Sequence, residues 1–80
     1  MEIIMAVKIQ LYGQLKQMTG ESELFTDAAD TDGLTREMAI RYPRLENLTY
    51  MIAVDRNVVQ VNTPIKASQE LALLPPYSGG

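Results

Sequence analysis

The sequence of 80 residues contains neither cysteine nor histidine. Without cysteine the chain can form no disulfide, and it offers no thiol as a nucleophile. Without histidine it lacks the usual general base and the commonest metal ligand of proteins. We therefore expect no metal site, and we expect any chemistry that involves this chain to depend on reactive groups of its partners.

Positive charge is also scarce, because 7 lysines and arginines face 10 aspartates and glutamates, for a net charge of −3. This balance gives no basic surface for nucleic acid and suits a basic protein partner. No apolar run is long enough to cross a membrane, and no signal peptide is recognisable, so we expect a cytoplasmic location and no membrane partner. A hydrophobic content of 46% supports one small domain with a packed core.

The last eight residues, Leu-Leu-Pro-Pro-Tyr-Ser-Gly-Gly, are the most distinctive stretch. Pro75 and Pro76 must end any preceding strand and favour an extended backbone. We expect a domain over residues 1–74 and a flexible tail over 75–80 that reaches roughly 20 Å. Gly79 and Gly80 lack side chains and could thread a narrow channel, so the Gly80 carboxylate is the candidate reactive group. A frayed end or an expression remnant is the plainer explanation.

Upstream of the tail, the hydrophobic pattern predicts two strands and then a helix. Val7, Ile9 and Leu11 alternate with polar residues, which predicts a half-buried strand. A single helical turn closed by Gly20 leads to a second strand over 21–26, and the two strands should form an antiparallel hairpin. The main helix should begin after a cap at Asp30 or Thr31 and end near Arg41 or Tyr42, ahead of Pro43. Its apolar stripe comprises Leu34, Met38, Tyr42 and Leu45.

Three more strands are predicted over 50–54, 58–61 and 70–74, with a short turn over 55–57. The order of elements predicts an α+β roll: a mixed sheet of about five strands with one main helix on one face. Alternation along the last two strands assigns Val59, Val61, Leu71 and Leu73 to the core.

The same alternation leaves Val58 and Leu74 pointing away from the helix. If they lie on adjacent strands beside the tail, they form a docking patch that delivers the tail to an enzyme. Single exposed aliphatic residues are also common without any function, and the pattern alone favours neither interpretation.

The ending resembles that of the molybdopterin synthase small subunit, a ubiquitin-like (MoaD-like) sulfur carrier family whose tail has a Pro-Pro pair and a terminal Gly-Gly. Segments 7–20, 52–57 and 64–71 also resemble that family. Two departures concern loops: Asp55 stands where asparagine is frequent, and Ala-Ser-Gln at 67–69 replaces an Asp-Gly-Asp turn. The resemblance implies a β-grasp, ubiquitin-like fold.

The resemblance also implies a reaction at Gly80. An ATP-dependent, ubiquitin-activating-like adenylyltransferase would adenylate Gly80, and a sulfur donor protein would convert it to a thiocarboxylate, a C-terminal 1-thioglycine. The tail would thread the active site of the synthase large subunit and give its sulfur to cyclic pyranopterin monophosphate for the molybdenum cofactor. Besides Gly80, the residues implied in threading are Pro75, Pro76, Tyr77, Ser78 and Gly79. The chain itself would bind no cofactor.

Three alternatives to this function stay open. One is a related sulfur carrier of the thiazole or cysteine pathway, although thiazole carriers usually lack the Pro-Pro pair. Another is a ubiquitin-like protein modifier conjugated through Gly80. The third is a β-grasp adaptor with an inert tail. The first two share the tail chemistry with molybdopterin synthase up to the final acceptor.

Overall fold

A computed structural model describes residues 6–76 of the chain. These residues form five strands, two α-helices and a 3₁₀ helix. In chain order the elements are β1 (Val7–Leu11), α1 (Gln14–Thr19), β2 (Glu23–Thr26), α2 (Thr31–Arg41), the 3₁₀ helix (Pro43–Asn47), β3 (Met51–Val54), β4 (Asn57–Val59) and β5 (Leu71–Leu74). Neither α-helix of this region is long and apolar enough to cross a membrane.

The first two strands form the predicted antiparallel hairpin, with Ile9 paired to Leu24. Between them α1 spans six residues, so the prediction of a single helical turn was too short. Gly20 ends α1 in the left-handed conformation, with a φ of 76°, as its position predicted. The helix gains its length because it buries Leu15 completely beneath the sheet, a contact that local sequence does not show.

The main helix begins and ends where its capping residues predicted. The Asp30 carboxylate accepts a hydrogen bond of 2.8 Å from the Gly33 N–H, which satisfies one of the free donors in the first turn. At the other end the Tyr42 N–H donates to the Met38 carbonyl, and Pro43 starts the 3₁₀ helix. Leu45 therefore belongs to the 3₁₀ helix, where it is buried, and it extends the apolar stripe of α2.

The strands lie in the order β2-β1-β5-β3-β4. The central strand, β5, is parallel to its neighbour β1, and every other neighbouring pair is antiparallel. The side chains of α2 pack on one face of this mixed sheet and complete one hydrophobic core. This arrangement confirms the predicted α+β roll of the β-grasp, ubiquitin-like type.

The core lies between this sheet face and α2, and it confirms most of the predicted inward positions. Its fully buried large side chains are Ile9, Leu15, Leu34, Met38, Leu71 and Leu73. Tyr42 and Val59 are only partly buried and pack against the edge of this cluster.

Val61 was wrongly assigned to the core, since 76% of its surface is exposed. The reason is that β4 ends at Val59, two residues earlier than predicted. Beyond it the chain turns toward the start of α2, where the Asn62 Oδ1 accepts a hydrogen bond from the Asp32 N–H at 2.9 Å. Ile65 is buried in the core instead. Its N–H donates a hydrogen bond to the Ala29 carbonyl, which fixes its position.

Candidate functional site

The sheet face opposite α2 is not covered by any helix of the described chain. We call it the open face. Because cross-strand partners share a face, its members follow from the register: Lys8, Gln10, Glu23, Phe25, Met51, Ala53, Val58, Ala72 and Leu74. The tail begins at the end of β5, directly after Leu74 of this face.

The structure places Val58 and Leu74 on the open face, but not on adjacent strands. Val58 lies on β4 and Leu74 on β5, with β3 between them. On β3, Ala53 is the partner of Val58 and Met51 is the partner of Leu74. Val58 is 45% exposed and Leu74 is half-buried. The condition of adjacent strands, stated above for a docking patch of these two residues alone, is therefore not met, because the antiparallel β3 lies between the last two strands, a pairing that alternation cannot reveal.

Sequence reasoning missed three further apolar residues on this side of the sheet. Tyr12 and Phe25 are 49% and 54% exposed, and Met51 is half-buried. The signal was present for Tyr12, which directly follows the buried Leu11, and for Phe25, which lies between two inward residues of β2. Aromatic side chains and methionine are typical of the centre of protein interfaces, so these residues strengthen the case for a docking surface.

The other end of the open face is polar. A shallow groove of about 340 Å³ crosses it, lined by Lys8, Gln10, Tyr12, Arg56, Gln69, Glu70, Leu71 and Ala72. Lys8 lies 3.8 Å from Glu23, and Arg56 lies 3.5 Å from Glu70, in both cases between the charged atoms. All four side chains are well exposed, so these pairs contribute little to stability and remain accessible to a partner.

The turn between β3 and β4 is built from two residues with positive φ, Asp55 at 50° and Arg56 at 70°. Such a turn matches the twist of a hairpin, and aspartate tolerates this conformation better than most residues. The Asp55 carboxylate accepts hydrogen bonds from the Glu70 N–H at 3.0 Å and from the Gln69 side chain at 3.3 Å. These contacts give Asp55 a structural role, because they tie the β3–β4 turn to the start of β5.

The loop over 66–69 differs from the Asp-Gly-Asp turn that the resemblance led us to expect. Here the Gln69 side chain accepts a hydrogen bond of 2.7 Å from the Lys66 N–H. The Gln69 N–H donates to the Lys66 carbonyl at 3.1 Å. A side-chain contact thus closes this turn without a glycine, and the start of β5 keeps its place.

The root of the tail lies at the junction of β5 with the turn after β1. The Tyr12 N–H donates to the Leu73 carbonyl at 3.2 Å, one residue before β5 ends. Pro75 is half-buried and Pro76 is exposed. Residues 77–80, which include Tyr77, Ser78, Gly79 and the candidate reactive residue Gly80, lie outside the described residues, so their predicted roles stay predictions.

Within residues 6–76, the side chains with shifted pKa values lie on the side of the molecule that carries α2. Hydrogen bonds from the Gly33 N–H and the Asn62 side chain lower the pKa of Asp30. Burial raises the pKa of Tyr50. Over the same residues no group of three or more acidic side chains is placed to hold a metal ion. What the open face offers to a partner is apolar area, hydrogen-bonding groups and exposed charges.

Comparison with known proteins gives a consistent family. The model of the ThiS family matches residues 9–80. A chain from the complex of subunits 1 and 2 of molybdopterin-converting factor from Helicobacter pylori is 29% identical, with a TM-score of 0.71, covering 95% of this chain and 100% of that one.

Two further solved structures share the fold at lower identity. Small archaeal modifier protein 1 from Methanosarcina acetivorans is 22% identical, with a TM-score of 0.80 and coverage of 99% and 100% of the two chains. A putative molybdopterin-converting factor subunit 1 from Pyrococcus furiosus is 19% identical, with a TM-score of 0.81 and coverage of 90% and 98%.

Proposed function

Because the chain belongs to the ThiS family of ubiquitin-like sulfur carriers, we propose that it is the small subunit of a molybdopterin synthase. The observation that carries this choice is the 29% identical match, over 95% of the chain, to a protein from a two-subunit molybdopterin-converting factor. The Pro-Pro pair before the terminal Gly-Gly supports the same choice.

The proposed reaction takes place at the Gly80 carboxylate, which other proteins activate. An adenylyltransferase joins this carboxylate to the AMP part of ATP and releases pyrophosphate. A sulfur donor protein then delivers sulfur at the oxidation level of sulfide, AMP leaves, and a thiocarboxylate remains. This group is a better nucleophile than a carboxylate. In the large subunit its sulfur displaces an oxygen substituent of cyclic pyranopterin monophosphate, and water then hydrolyses the bond between the sulfur and the Gly80 carbonyl carbon, which returns the Gly80 carboxylate.

The division of labour follows from the composition of the chain. A carboxylate is a poor electrophile, and the sequence has no thiol, no imidazole and no phosphate-binding glycine-lysine loop with which to activate it. The chain contributes a reactive end that carries no side chains and a domain that partners can recognise. We propose the apolar part of the open face as the recognition surface, with Val58 and Leu74 joined through Met51 and Ala53 of β3.

The test uses the purified chain with an adenylyltransferase, ATP and a sulfide source. We expect a mass gain equal to one exchange of oxygen for sulfur, located at Gly80 by fragmentation. Addition of the large subunit and cyclic pyranopterin monophosphate should then yield molybdopterin. A chain without Gly80, or with one residue added after it, should keep its circular dichroism spectrum and lose both products.

Other outcomes identify the alternatives. If a blocked terminus still supports molybdopterin formation, Gly80 is not the sulfur-carrying group. A chain that becomes linked through Gly80 to lysines of other proteins, and gives no molybdopterin, is a protein modifier. Small archaeal modifier protein 1, which has a similar fold, is named as a modifier.

A further inference from the structure

Gly13 lies in the turn between β1 and α1, directly beneath the root of the tail. At the position that a Cβ on Gly13 would occupy, the Cγ atom of Pro75 is only 3.0 Å away, and its Cδ atom is 3.5 Å away. Carbon atoms that are not bonded normally lie about 3.5–4.0 Å apart. The proline ring therefore occupies the space that any side chain at residue 13 would need.

The backbone of Gly13 is also in a conformation that favours glycine. Its φ is 60° and its ψ is −131°. L-residues with a side chain rarely adopt this combination. Gly20 offers a comparison inside the same molecule, because its φ is 76° but nothing lies within 4 Å of the Cβ it lacks. Gly20 thus shares the positive φ and lacks the contact with the tail, but its ψ of 9° lies near the left-handed helical region, which side-chain-bearing residues adopt more readily than the conformation of Gly13.

The surroundings of Gly13 leave the turn little freedom to move away from Pro75. On one side the Tyr12 N–H is bonded to the Leu73 carbonyl of β5. On the other side the Gly13 carbonyl accepts hydrogen bonds from the Lys16 and Gln17 N–H groups at 3.1 and 3.3 Å, which start α1. A methyl group at residue 13 would therefore press on the proline ring, which must move by a few tenths of an ångström, and it would also strain the backbone of the turn.

We propose that Gly13 is a positioning residue for sulfur transfer: its missing side chain provides the seat for the Pro75 ring, and this seat sets the direction in which the tail leaves the domain. The proposal rests on the proposed function. Proline holds φ near −65°, so a displaced ring redirects the residues that follow it. The reacting Gly80 lies four positions beyond Pro76 in the sequence, so the direction set at Pro75 is the starting point for its approach to the large subunit.

The expected effect is on the rate of reaction within the complex rather than on its formation. Misplacing a reacting group by about 1 Å can slow a reaction by up to about 10²-fold. Gly13→Ala should lower the kcat of molybdopterin formation by about tenfold or more, while the dissociation constant for the large subunit stays within about twofold. The docking surface is formed by other residues, and a redirected tail leaves them in place.

Gly20→Ala is the control, since it introduces the same methyl group at positive φ without touching the tail. We expect it to lower the melting temperature less than Gly13→Ala does, because Gly20 is in the left-handed helical region, and to keep the kcat of the unaltered chain. A double-mutant cycle with Pro75→Ala then isolates the contact. Alanine at residue 75 lacks Cγ and Cδ and leaves only Cβ, which is 3.8 Å from the same point. In the Pro75→Ala background, Gly13→Ala should change kcat less than twofold.

A second readout is independent of sulfur chemistry. In the unaltered chain, NMR should show an Overhauser effect between the Gly13 α-protons and the Pro75 ring protons, and Gly13→Ala should alter the Pro75 and Pro76 signals more than Gly20→Ala does. If Gly13→Ala and Gly20→Ala have equal kcat values, or if the loss persists undiminished with Pro75→Ala, the positioning role is refuted. An unaltered chain that forms no thiocarboxylate refutes the proposed function instead, and absence of the Overhauser effect refutes the seat itself.

Discussion

Leu73 and Leu74 are neighbours in β5, yet Leu73 has no exposed surface and Leu74 lies half-buried on the opposite side of the sheet. The same contrast holds along the neighbouring strand, where Ile52 is buried in the core and Met51 lies on the open face. Two surfaces with different neighbours are thus made from alternate residues of the same strands. One is sealed by α2, and the other is available to partners.

The comparison shows how a chain this small can combine stability with recognition. A domain near 80 residues buries a modest fraction of its surface and has little stability to lose. Its core is therefore concentrated on the face toward α2. Apolar residues on the open face add little to that core. The choice of residue at these positions can therefore be determined by the binding of a partner. The predictions below test this separation, beginning with the largest expected effect.

Charge placed on the two faces should have opposite consequences. Leu73→Glu puts a carboxylate where no water reaches, which costs several kcal/mol out of a total stability of roughly 5–15 kcal/mol. We expect that variant to be largely unfolded by circular dichroism at room temperature. Leu74→Glu should remain folded, with a loss of about 1 kcal/mol or less in urea titration.

The same Leu74→Glu variant should bind partners poorly. Burial of an aliphatic side chain at an interface contributes about 1.5–3 kcal/mol, equivalent to a factor of about 10 to 100 in the dissociation constant. Calorimetric titration with the large subunit and with the adenylyltransferase measures this loss for each partner. If Leu74→Glu unfolds the domain, or folds and binds both partners normally, the open face is not the recognition surface.

The helix that seals the covered face offers a second pair of neighbours. Met38 is fully buried, whereas Ile40, two residues along α2, is 79% exposed. Met38→Ala leaves a cavity in the core and should lower the free energy of unfolding by about 2–4 kcal/mol. Ile40→Ala removes a side chain that already meets water and should change it by about 0.5 kcal/mol or less. A larger loss for Ile40→Ala than for Met38→Ala in urea titrations would mean that the other side of α2 faces the sheet, and equal losses would refute the difference in burial.

Periodicity and capping residues predicted the first hairpin, the main helix and most of the inward positions, but not the 3₁₀ helix, the length of α1 or the end of β4. Asp30 and Gly20 mark helix ends through side-chain and backbone chemistry that is local, and Leu34 and Met38 recur at helical spacing. The β-grasp fold and the family were predicted from the resemblance of the ending and three upstream segments. The partly predicted site, Val58 and Leu74, came from alternation alone.

The errors share one physical cause, which is long-range pairing. Alternation continues through Val61 in the sequence, but β4 ends earlier because Asn62 and Thr63 form hydrogen bonds with the start of α2. The position of β3 between β4 and β5 depends on tertiary packing and separates Val58 from Leu74. The contact of Gly13 with Pro75 joins residues far apart in sequence, so neither residue alone indicates it.

The smallest predicted effect concerns the hydrogen bonds that hold the start of α2 over the covered face. Because the Gly33 N–H and the Asn62 side chain lower the pKa of Asp30, its ionised form is favoured in the folded chain. The resulting stabilisation is fully present above the ordinary aspartate pKa of 3.8 and is lost as the pH falls through the lower pKa of the folded state. Asp30→Asn keeps an acceptor for the cap but cannot ionise. We therefore expect the unaltered chain to be more stable than this variant near neutral pH, and we expect the difference in urea midpoint to shrink below pH 3.8.

Asp27→Asn, which removes one charge three residues earlier, controls for the change in net charge. A difference between the Asp30 variant and the unaltered chain that is the same at both ends of this pH range would show that the ionised cap does not help to hold α2 on the sheet.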